Sequence, residues 1–136
     1  MTRDMTKGAR FSYYIMLFGM GCSFWIATVT GHFTMYAPVY GKAANFPAEA
    51  WAAALMFPSA VYLMALFING RRWWTSPLRC FIGFFTIFHF ALFVFSSFGQ
   101  EGGGVMFIPS GVLMMKAGVM LAFDIADFRR KRHDRE

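Results

Sequence analysis

The chain has 136 residues, enough for one domain, with 57 % apolar and 20 % aromatic residues and a formal charge of +6. That apolar content is high for a soluble domain of this size, and it falls in long blocks without polar faces, which argues against a soluble core. The basic residues flank those blocks instead of interleaving with aromatics along a groove, so a nucleic-acid partner is not expected.

The expected fold is an all-α integral membrane protein of four transmembrane helices in an antiparallel bundle, forming a single domain over residues 1–136. Crossing the hydrocarbon takes about 20 mainly apolar residues, and lipid forces every backbone polar group to be satisfied within the segment. The first span is expected over about 11–33. Its apolar stretch is longer than a signal-peptide core, and no small-x-small site follows it in a polar context, so it reads as an anchor that is retained. Within it Gly19, Ser23, Ala27 and Gly31 recur every fourth residue. Such a stripe of small side chains lets helix backbones approach closely, and it is the expected packing face.

Between the first two spans, residues 32–46 carry Phe33, Tyr36, Tyr40 and Phe46 and are expected in the outer interface, with a contact surface as the alternative. The second span is expected over about 47–68. Pro47 precedes Glu49, whose carboxylate suits a first helical turn. Further on, Pro58 should kink the helix and free the carbonyl of Ala54.

The third span is expected over about 77–97, with Ser76 capping a helix whose first turn holds Pro77. It is heavy in phenylalanine on all sides, so many rings must face lipid or another protein. His89 lies near its middle, with Thr86 one turn away as a hydrogen-bond partner.

The fourth span is expected over about 105–127, with Pro109 and Gly111 making its outer end irregular. Lys116 falls near mid-membrane, where a cation costs at least about 2.5 kcal/mol. Either it snorkels, or it faces the bundle and donates to oxygens such as the Ala54 carbonyl. No carboxylate shares its depth. Asp124 and Asp127 lie at the far end, where they balance neighbouring arginines. A short basic tail, 128–136, follows; Arg129, Arg130, Lys131 and Arg132 suit anionic lipid headgroups.

Orientation follows from Lys and Arg. Arg3, Lys7 and Arg10, then Arg71, Arg72 and Arg79, then the C-terminal cluster mark alternate segments, while the other two loops share only Lys42. Both termini are therefore expected in the cytoplasm. Aromatic anchors are expected at the cytoplasmic ends (Tyr13, Tyr14, Trp73, Trp74) and towards the outer ends (Trp25, Trp51). The expected location is a bacterial inner (plasma) membrane.

No catalytic signature is present. There is no nucleophile elbow, H-E-x-x-H or phosphate loop, and no C-x-x-C. Cys22 and Cys80 fall at different depths, so a disulfide between them is not expected. No enzyme activity, cofactor or metal is expected. The function expected is that of a non-enzymatic membrane component, an accessory subunit of a complex or a self-associating chain, with lipid and other membrane chains or itself as partners. One alternative is a pore, holin-type protein or small transporter using Lys116 and His89. The last is an enzyme acting on a lipid or quinone.

Overall fold

The structure, a computed structural model, describes residues 3–31, 47–68, 72–97 and 104–135. They form four helices: α1 (Arg3–Val29), α2 (Ala48–Phe67), α3 (Thr75–Ser97) and α4 (Gly104–His133). Each is long and apolar enough to cross a membrane. The aromatic segment 32–46 and the glycines at 102 and 103 lie outside the described residues.

Helix ends follow local chemistry. α1 closes at Gly31, whose φ of +76° suits a residue without Cβ and whose N–H bonds the Thr28 carbonyl at 3.2 Å. α2 opens after Pro47 with Glu49 in its first turn. It then runs unbroken through Pro58. α3 begins at Thr75, two residues before the expected start, and the Thr75 hydroxyl donates to the Arg72 carbonyl at 2.9 Å. Pro77 still occupies the first turn, where a missing N–H costs nothing. α4 is continuous through Pro109 and runs on to His133, past the expected end at 127. Arg130, Lys131, Arg132 and His133 fill its last turn, where cations complement the helix dipole, so much of the expected tail is helix.

α1 packs along α2, α3 packs along α4, and the two pairs join mainly through α2 and α3. One glycine sets each close approach. A Cβ on Gly21 would sit 2.8 Å from Met56 Cβ and 2.9 Å from its Cα and N. A Cβ on Gly83 would sit 2.9 Å from Leu121 Cδ1. Tyr14, Leu17, Leu55, Tyr62, Leu66, Ile82, Phe90 and Ala117 fill the core. Hydroxyls inside the spans bond their own helices: Ser59 donates to Leu55 O at 2.6 Å and Thr86 to Ile82 O at 2.8 Å. That local arrangement satisfies both of these hydroxyl hydrogens within their own helices.

The outer surface is apolar. Ile26, Phe57, Met64, Phe81, Phe84, Phe88, Phe95 and Met115 are all exposed. In water this would be one large sticky patch, whereas in hydrocarbon it is the solvated face.

Candidate functional site: a buried ionic cluster

The largest fully buried side chains among the described residues are two arginines, Arg10 and Arg79. They meet two carboxylates on α4. Asp124 and Asp127 stand three residues apart and so share a helix face. Arg10 Nη1 donates at 2.8 Å both to Asp124 Oδ1 and to Asp127 Oδ2, while Arg10 Nε donates to the Thr6 carbonyl at 3.2 Å. Arg79 approaches the same acids from α3, with Nε 3.4 Å from Asp124 Oδ1 and Nη2 3.8 Å from Asp127 Oδ2. Arg79 Nη2 also donates to Ser76 Oγ at 3.3 Å. Tyr62 of α2 completes the set, its hydroxyl donating to Asp124 Oδ2 at 2.6 Å. The Tyr62 ring stacks on Tyr14 with centroids 3.5 Å apart.

All four helices thus contribute to one cluster with two positive and two negative charges. Burying an ion costs several kcal/mol, and attraction offsets that cost only where geometry is good and the remaining valences are filled. Asp124 meets both conditions, since each of its oxygens accepts a short hydrogen bond. Arg79 Nη1, by contrast, is buried without a hydrogen-bond partner among the described residues. The cluster is built to hold helices together, because every carboxylate oxygen engaged in it faces a guanidinium or phenol. Among the described residues, no three of His, Cys, Asp and Glu are grouped to hold a metal ion.

Sequence reasoning placed Arg10 and Arg79 among the topogenic charges and left the acids to their neighbours. The arginines that Asp124 and Asp127 meet in fact belong to other helices. One signal was available: two arginines just inside the basic-flanked ends of two spans, matched in number by two acids one turn apart at the same end of a third. Tyr13 and Tyr14 also differ from expectation. They are buried, Tyr13 donates to the Leu113 carbonyl at 2.7 Å, and neither is an interfacial anchor.

The other expected site residues scatter. Lys116 is exposed, which disfavours the interior-facing one of its two expected placements. Ser110, Ala117, Leu121 and Asp124 define the inward face of α4, and Lys116 lies one residue, about 100° of helix, away from it. His89 is buried, with its ring 5.5 Å from Trp51 and 5.3 Å from Phe90 and Phe93. Thr86 donates to its own helix and not to His89. Gly19 and Ser23 are exposed, Ala27 is half-buried, and Gly31 belongs to the helix end, so the small-residue stripe is not the face that packs within the chain. Arg129, Arg130 and Arg132 are exposed, with Lys131 half-buried. Cys22 and Cys80 are free, and Cys22 Sγ lies 3.3 Å from Met56 Sδ. Comparison with protein-family models, with curated proteins and with solved structures finds no match for this chain.

Proposed function

We propose that this chain is a non-enzymatic subunit of a membrane complex, spanning a bacterial inner membrane four times as an antiparallel bundle with both termini cytoplasmic. It acts by docking its outer face on a transmembrane helix of another protein. The observation that carries this reading is Lys116. It is exposed on α4, and twelve residues, about 18 Å of helix, separate it from the start of that helix at Gly104. An ammonium at that depth costs at least about 2.5 kcal/mol in lipid. A carboxylate on a partner helix at the same depth offsets part of that cost and fixes the register of the two chains. The exposed Gly19 and Ser23 add a surface that a second helix backbone can approach closely. A transport path through Lys116 and His89 draws less support, since one is exposed and the other is walled by Trp51, Phe90 and Phe93.

The test is a photo-reactive residue in place of Met115 or Val119, which flank Lys116 on the exposed face, with the full chain in its native membrane. The expected result is one discrete cross-linked partner whose linked span carries Asp or Glu. Lys116→Met should abolish the cross-link and leave the isolated chain as stable as before, or more so. Cross-linking to lipid alone, unchanged by Lys116→Met, would leave a snorkelling lysine and defeat the proposal.

A further inference from the structure

A cavity of about 290 Å³ opens where the first turn of α3 meets the last turns of α4, at the same end of the bundle as the ionic cluster. Its lining includes Lys131, Arg132 and Arg135 and no acidic side chain. Those three residues, with Phe128, repeat at three- and four-residue spacing and so form one face of α4. Three cations on one helical face can converge on one anion, each donating a charge-assisted hydrogen bond. Ser76 forms part of the opposite wall. Its oxygen accepts from Arg79 Nη2, which leaves the hydroxyl proton to donate and puts a buried cation one hydrogen bond behind the wall. The wall is also the first turn of α3, where the helix dipole favours negative charge. Trp73 and Phe128 complete the rim, both exposed, as side chains of the membrane interface are.

We infer that this cavity binds the phosphate of an anionic phospholipid headgroup, with Lys131, Arg132, Arg135 and Ser76 as its donors. The exposed aromatic rim and the attachment to two membrane-spanning helices favour a lipid over a free phosphate ion. The site is narrower than the basic tail as a whole, because Arg129 and Arg130 are not part of its lining. It rests on the membrane-spanning reading and not on the docking of a partner chain.

The experiment compares two charge-matched variants of the full chain, each altered at two exposed arginines: Arg132→Gln with Arg135→Gln, and Arg129→Gln with Arg130→Gln. The purified chain is titrated with phosphatidylglycerol and with phosphatidylcholine in detergent, and bound lipid is counted by native mass spectrometry. Wild-type should prefer phosphatidylglycerol. The cavity pair should weaken that binding on the order of tenfold, and the control pair by less than about twofold. Excess inorganic phosphate should displace little of the lipid. Equal losses in the two variants would mean diffuse attraction to the tail and overturn the site. Displacement by inorganic phosphate, with no preference between the lipids, would assign the cavity to the free ion and overturn the lipid. Both readouts use the isolated chain, so a failure of partner docking leaves them unaffected.

Discussion

At Asp124 two short hydrogen bonds arrive from different helices, the Arg10 guanidinium at 2.8 Å and the Tyr62 phenol at 2.6 Å, and the carboxylate is fully buried. Removing one partner of such a pair costs about 3–5 kcal/mol, because the other charge stays buried and uncompensated. Asp124→Ala should therefore destabilise the chain by that amount in detergent unfolding. Tyr62→Phe, which deletes only one charge-assisted bond, should cost about 1.5–3 kcal/mol. The double change Arg10→Met with Asp124→Leu tests whether the cost is electrostatic. It should recover much of the loss, since replacing both members by apolar groups removes the desolvation penalty. A double variant as unstable as the sum of its single changes would show that packing, not charge pairing, holds this end together.

Two glycines two residues apart on α1 behave oppositely at the scale of the element. Gly21 faces α2 with Met56 backbone atoms 2.9 Å from where its Cβ would be, whereas Gly19 has nothing within 4 Å. Gly21→Ala should cost about 1–3 kcal/mol through forced separation of α1 and α2. Gly19→Ala should be neutral or stabilise by up to about 1 kcal/mol, the helix-propensity gain of alanine over glycine. Thermal unfolding of the two variants side by side checks this, and equal destabilisation would place the stripe against α2 after all. Should the stripe serve another chain, Gly19→Leu would spare folding and harm only assembly. The fourth-residue spacing of small side chains was real, yet spacing cannot say which face turns inward. Gly21 has no such pattern, and only its neighbour Met56 reveals its role.

Among the described residues, the charged side chains near one end of the bundle divide into a buried neutral set and an exposed basic set, with Lys116 and Glu49 lying apart from both. Arg10, Arg79, Asp124 and Asp127 form the first. Arg72 and the α4 terminus from Arg129 onward belong to the second. The proposed topology keeps both at one membrane face. Reporter fusions after Gly70 and after Glu136 should thus read cytoplasmic, and fusions near Gly41 and Gly102 external. An external signal after Gly70 would reverse the orientation while leaving the ionic cluster intact, since the cluster demands only that these four helix ends lie together.

Four apolar stretches, each long enough to span a bilayer, were legible from the sequence, because hydrocarbon imposes length and composition on each segment separately. Glu49 in a first turn and Pro77 near a helix start were legible for the same reason: they are local chemistry. The partners of Asp124, the inward turn of Gly21, the exposure of Lys116 and the burial of Tyr14 were not. Each depends on how a helix rotates about its own axis against its neighbours. A span that is apolar all round, as α2 nearly is, carries too little contrast between faces to fix that rotation. Only the packing of the four helices decided it, through two glycine contacts and one shared set of charges.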